Sequence, residues 1–181
     1  RPALTELAPG AHFYAHGRRL TVDAVDIGVG GGALHHTAFC PSCGLAVRFE
    51  RSAPPRVCPG CRGQAIADPG QHRDVVDLTR VYSTMNRNRT RITDASDDRD
   101  RQPFDTALSV SFHPNGKRLR WHVPSIGLGV ALDRETTLTR LNLGTPHQVS
   151  GSLRISGEDR PAPGFLVCSE CGHHDKDTSG N

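Results

Sequence analysis

The residues best suited to chemistry are six cysteines, and all of them come as C-x-x-C pairs: Cys40 with Cys43, Cys58 with Cys61, and Cys168 with Cys171. Such a turn aims two thiols at one point and its backbone amides at the sulfurs, which suits a metal better than the irregular half-cystine spacing of a secreted scaffold. Fourteen residues separate Cys43 from Cys58, enough for two short strands and a turn at Pro54-Pro55. Cys40, Cys43, Cys58 and Cys61 therefore read as a zinc ribbon. Four thiolates close a tetrahedron and leave no position for a catalytic water, so the expected role is to staple the fold. Iron takes the same donors and marks the alternative of an electron carrier, which would normally be a small independent domain.

The third pair has no fourth after it. Candidate donors within the chain are His35, His36, His173 and His174. Two adjacent histidines so close to Cys171 could hardly both join one tetrahedron with that pair. The other account places the remaining donors beyond Asn181, and the donor count of zinc together with the lack of Met at position 1 favours it. On this reading Cys168 and Cys171 are half of a second zinc site, and the chain is a piece of a larger protein.

Other patterns are weaker. His12 and His16 stand four apart without the glutamate of a metalloprotease helix, and Phe13-Tyr14 favours a strand. Arg80, Arg87, Arg89 and Arg91 form one basic run, and Lys117, Arg118 and Arg120 another; Arg87, Arg89, Arg91, Lys117, Arg118 and Arg120 are the candidate nucleic-acid contacts. The opposing possibility is a solvated face, or pairing of the 87–91 run with Asp97, Asp98 and Asp100. Trp121 is expected to pack in a hairpin core, since stacking on a base would require it to be exposed beside the basic turn. No serine lies in a Gly-x-Ser-x-Gly setting, the glycines at 28–32 lack a following Gly-Lys-Ser/Thr, and no dinucleotide fingerprint appears. No catalytic residue is assigned.

The elements that must position these residues are short. With 19 glycines and 13 prolines, many short strands and turns are favoured over long helices. The fold class expected is mainly β, with short antiparallel hairpins and an inserted four-cysteine ribbon; some helix is compatible with it. Residues 11–28 read as a hairpin turning at Gly17, and 28–36 as a flexible connector. The alternation of Leu108, Val110 and Phe112 with Leu119, Trp121 and Val123 around Asn115-Gly116 reads as a second hairpin. Further strands are expected at 126–132, 138–143 and 164–168. The organisation is 1–38 as an N-terminal hairpin region, 39–63 as the zinc ribbon, 64–163 as the continuing β-rich domain and 164–181 as the start of a second zinc element.

A formal charge of +3 is too small to name a partner. No apolar run approaches the ~20 residues of a membrane helix, so no membrane is expected as partner. Cysteines arranged for metal point to a reducing, cytoplasmic compartment.

Three stretches together, "LAPGAHFYAHGRRLTVDAVDIG" at 7–28, "RITDASDDRDRQPF" at 91–104 and "GFLVCSECGHH" at 164–174, resemble the C-terminal region of bacterial superfamily 2 DEAD/DEAH-type helicases with a cysteine-rich zinc-binding domain, a group that includes mitomycin-repair and phage-defence helicases. The resemblance implies an accessory module of an ATP-dependent nucleic-acid motor, DNA as partner, upstream motor domains in the same parent chain, and further donors completing the Cys168/Cys171 site. This chain departs from the group in Asp97-Asp98, where glutamates are expected, and in the added ribbon at 40–61. The alternatives are a stand-alone zinc-ribbon interaction protein and a metalloenzyme using the cluster from Cys168 to His174.

Overall fold

The computed structural model describes residues 3–15, 18–83, 103–113, 115–145 and 151–174. The fold is mainly β, in short antiparallel hairpins around a four-cysteine cluster, as expected. A four-residue helix, α1 (Ala3–Glu6), precedes the hairpin of β1 (His12–Ala15) and β2 (Arg18–Thr21). β3 (Ala24–Val25) follows. The glycines expected to form a flexible connector instead make a tight helical turn at Val29–Gly31, with Gly28, Gly30 and Gly31 at positive φ, and Leu34 already begins a strand.

β4 (Leu34–Phe39) is the centre of a three-stranded antiparallel sheet, flanked by β5 (Ala46–Arg48) and β6 (His72–Val76). Only one strand forms between Cys43 and Cys58, where two were expected. Pro54 and Pro55 supply no N–H to a ladder, and the second edge of β4 is taken by β6 from beyond Cys61. The alternation of β4 divides the core: Phe39 packs with Ala107, Leu141, Leu143, Leu153 and Ile155, while Ala38 packs with Cys40, Leu45, Cys58 and Ile66. The Cys40/Cys43 and Cys58/Cys61 pairs thus lie against one of two small cores.

β7 (Val81–Tyr82) pairs with β3. Then comes a long two-stranded ribbon. β8 (Asp105–Phe112) pairs with β11 (Thr136–Gly144), and β9 (Arg118–Val123) pairs with β10 (Leu128–Asp133). The chain therefore does not reverse at Asn115-Gly116, as the Asn-Gly signal suggested. It reverses at Pro124–Ile126 and Gly127, the latter at φ 64°, while the segment around Asn115 interrupts one arm. Bonds from the His113 N–H to the Glu135 carbonyl and from the Arg134 N–H to the Lys117 carbonyl carry the pairing across the interruption. The β8–β11 half lies on the core, and the β9–β10 half projects.

β12 (Ser152–Ile155) and β13 (Glu158–Pro161) form a further hairpin turning at Ser156-Gly157, both at positive φ. The strand expected at 164–168 reduces to a single bridge at Val167. Among the described residues no helix is long and apolar enough to cross a membrane.

Candidate metal centre

Three turns in this chain share one backbone design. In the first, the Cys40 N–H donates to the Leu45 carbonyl at 2.8 Å, and the Gly44 N–H donates to the Cys40 carbonyl at 3.0 Å. In the second, Cys58 bonds Gly63 at 2.8 Å and Arg62 bonds Cys58 at 2.9 Å; in the third, Cys168 bonds His173 at 2.8 Å and Gly172 bonds Cys168 at 2.8 Å. The residue after the second cysteine is left-handed each time, with φ of 70° at Gly44, 66° at Arg62 and 72° at Gly172. The surroundings decide its identity. A Cβ at Gly44 would lie 2.3 Å from Ser156 Oγ, and one at Gly172 would lie 2.0 Å from the Val25 carbonyl oxygen, whereas Arg62 is exposed and only its backbone bears the strain.

The first two turns face each other. Cys40 Sγ stands 3.5 Å from Cys61 Sγ and Cys43 Sγ 3.6 Å from Cys58 Sγ, and all four sulfurs lie within 4.8 Å of one another. Four sulfurs at about 2.3 Å from a zinc would form a tetrahedron with edges of about 3.8 Å, so the donor set fits a tetrahedral metal ion. Cys40 and Cys58 are buried and Cys61 is exposed. Burial pushes the thiols of Cys43 and Cys58 up, and the Gly63 N–H, 3.4 Å from Cys61 Sγ, helps to lower Cys61 to about 7. Desolvation opposes the thiolate at Cys43 and Cys58, so the four sulfurs could all be charged together only around a cation.

The centre is tied to the rest of the molecule through β8. The Val110 N–H donates to the Gly44 carbonyl at 3.2 Å, and Ser111 Oγ donates to the Ala46 carbonyl at 3.1 Å. Phe112 covers Gly60, and the Arg118 guanidinium sits 4.1 Å from the centroid of the Phe112 ring. Arg118 also grips Asp133 through Nε at 2.6 Å and Nη2 at 3.0 Å, which raises its pKa further. Its charge is thus fixed beside the thiolate cluster, a position that sequence reasoning, which grouped it with Lys117 and Arg120, did not detect. Lys117 and Arg120 sit on the projecting ribbon. Arg87, Arg89 and Arg91, together with Asp97, Asp98 and Asp100, lie outside the described residues. His12 bonds Thr21 Oγ1 at 3.0 Å on β1, and His16 lies outside the described residues.

The third turn is seated elsewhere. The Val25 N–H donates to the Gly172 carbonyl at 3.0 Å and the His174 N–H to the Asp23 carbonyl at 2.6 Å, which adds the turn to the β3–β7 sheet. Cys168 and Cys171 are both exposed, and the backbone N–H groups of Glu170 and Cys171 hold the Cys168 thiol below its usual value. Among the described residues no third Cys, His, Asp or Glu joins them. His36 is bonded to Asp74, His35 lies 3.9 Å from Asp77, and His174 Nδ1 bonds the Leu166 carbonyl, so three of the four histidine candidates are engaged with other groups.

Trp121, expected in a core, is 54% exposed. It shares one face of the projecting ribbon with Leu119, Val123, Leu128, Val130 and Leu132, in three cross-strand pairs, and every one of them is exposed. Comparison with protein-family models, curated proteins and solved structures finds no match to this chain.

Proposed function

We propose that the chain is a non-catalytic, zinc-stapled module that engages nucleic acid, DNA in the first instance, alongside an ATP-dependent helicase motor of the kind its sequence resembles. The observation that carries the reading is the closed set of four thiolates, which leaves a bound zinc no position for substrate or water. Zinc, having no redox chemistry, suits a site whose ligands are half buried in a small core and bonded to a neighbouring ribbon. Arg56 and Arg62, which flank the second turn in sequence, are both exposed. Cys168 and Cys171 form the first half of a second zinc site, completed by donors outside the described residues.

Metal analysis tests the first part: colourless protein with zinc in the four-cysteine site supports it, and a coloured iron-thiolate absorption overturns it. DNA titrations at several salt concentrations test the second, because phosphate contacts give a salt slope. Binding that does not respond to salt removes the nucleic-acid reading. A Gly-Lys-Ser/Thr phosphate loop in the parent polypeptide is the test of the motor.

A specific observation favours a second reading, a protein-docking module. A charge-free face of six exposed apolar side chains on a projecting ribbon is suited to a protein partner rather than to phosphate. A partner competing with DNA, or binding independently of it, separates the two.

A further inference from the structure

The ribbon of β9 and β10 sorts its side chains by alternation. Leu119 pairs with Leu132, Trp121 with Val130 and Val123 with Leu128, and all six share one face. Arg118, Arg120, His122 and Asp133 belong to the other. The apolar face carries no charge, and the indole N–H of Trp121 is its one hydrogen-bonding side-chain group. A phosphate or an acidic side chain would find nothing to bind there.

A ribbon patterned in this way needs a covering layer, because two strands alone are marginally stable in water and gain from alternation only when the apolar side is shielded. The β8–β11 half has its cover, with Ala107, Leu141 and Leu143 buried in the core. The β9–β10 half has none: no residue from 118 to 133 is buried, and exposure on the apolar face runs from 38% at Leu119 to 58% at Val130. At roughly 100 Å2 for each half-exposed side chain of this size, the face offers about 600 Å2, the upper end for a patch on a monomer. Two such faces brought together would bury about 1,200 Å2, the lower limit of a specific interface.

The composition of the face selects the kind of protein that covers it. Interfaces between separately soluble proteins are about as polar as the rest of the surface, whereas homodimer interfaces are more apolar. Six side chains with a single polar group belong to the second class. The layout is also self-matching: three pairs, the central one setting a large Trp121 beside a small Val130, so that a two-fold axis between two ribbons places apolar against apolar at every position. We propose that this face joins two copies of the chain, ribbon against ribbon, in a four-stranded, two-layered sandwich whose charged faces stay outside. The proposal rests on the docking reading and names its occupant. An interface of this minimal size gives association in the micromolar range, with free monomer below it.

Trp121 is the single tryptophan of the chain, so its emission reports on this face directly. The test follows the zinc-loaded chain from about 0.1 to about 100 μM, a range that spans such an affinity, by sedimentation velocity and tryptophan fluorescence. The mass is expected to double while Trp121 emission moves to shorter wavelength over the same range. Val130→Lys, which sets a charge in the middle of the face, should weaken association about a hundredfold. Arg120→Gln, on the opposite face, should leave it unchanged. Val130 is 58% exposed, so Val130→Lys should keep the melt of the monomer; should it not, the concentration series on the unmodified chain decides alone. Monomer mass with constant emission across the series overturns the dimer, and so does a dimer that survives Val130→Lys with unchanged affinity. A shift of Trp121 emission on zwitterionic lipid vesicles, at monomer mass, assigns the face to a membrane surface and overturns it as well. The docking reading is judged apart, by an apolar dye below the association range. Dye binding that Val130→Lys abolishes keeps the face as a docking site for another occupant, and no dye binding by a monomeric chain removes that reading too.

Discussion

Replacing Gly172 with alanine tests whether the third cysteine turn is held rigidly on the β3–β7 sheet. The new Cβ would lie 2.0 Å from the Val25 carbonyl oxygen and 3.3 Å from Ile27 Cγ2, where a carbon and an oxygen normally stay about 3.3 Å apart. The oxygen belongs to the backbone, so no rotamer change relieves the clash and the turn must lift. Lifting breaks the bonds from Val25 to Gly172 and from His174 to Asp23. Two such bonds at about 1 kcal/mol each, added to about 1–2 kcal/mol for alanine at a left-handed φ, give about 3–4 kcal/mol. Gly157→Ala is the control, because Gly157 has φ 85° with nothing within 4 Å of the added carbon; it should cost only the conformational part, about 1–2 kcal/mol. Native-state hydrogen exchange reads the difference locally. The Val25 and His174 amides should exchange about thirtyfold faster in Gly172→Ala than in Gly157→Ala, the equivalent of about 2 kcal/mol. Equal exchange in the two variants would refute the seating of the turn.

The metal itself is tested by Cys58→Ser, which should lose zinc and order across residues 39–63, since a binding free energy on the order of 10 kcal/mol is part of the folding free energy of such a site. Stoichiometric zinc with an unchanged melt would disprove the four-cysteine assignment. Asp133→Asn should cost about 1–2 kcal/mol in urea denaturation, because both Asp133 and Arg118 side chains are about one-fifth exposed and joined by two charge-assisted bonds; no loss would mean that Phe112 alone holds Arg118. Trp121→Ser combined with Val130→Thr should shift stability by less than about 1 kcal/mol while lowering binding of an apolar dye, since both side chains are more than half exposed. A loss of several kcal/mol would show that this face is covered in the free chain.

The cysteine spacing anticipated the four-cysteine cluster, since each C-x-x-C turn is a local structure whose hydrogen bonds span five residues. The fold class was equally legible, since short alternating runs between glycines and prolines have few alternatives. What could not be read was which strand pairs with which. Asn115-Gly116 is a strong local turn signal, yet β8 finds its partner in β11, so the turn bends one arm of a ribbon and Pro124–Ile126 reverses the chain. Trp121 was misplaced for the same reason. Alternation shows that Leu119, Trp121 and Val123 share a face but not what covers it, and here the ribbon has left the core. The β12–β13 hairpin was missed although Ser156-Gly157 lies between the buried Leu153 and Ile155 and the strand that follows. The aromatic cluster of His36, Phe49 and His72 was hidden most completely, since its members come from separate segments that only the β5–β4–β6 sheet brings together.

Identical backbone turns in different surroundings argue for a division of labour among the three cysteine pairs. The first two bury one cysteine each and share a core with Leu45 and Ile66, so a metal held there would be inseparable from the core and its loss would be a loss of fold. The third spends its packing on Gly172, which is buried against Val25 and Ile27, and leaves both thiols outside. A pair meant only to stabilise would gain nothing from that exposure, because an exposed thiol contributes no burial and invites oxidation. Rigid seating of the backbone combined with outward sulfurs is what the half-site proposed for this pair would need. The three pairs thus share one backbone turn, and what separates them is which side of that turn the fold buries.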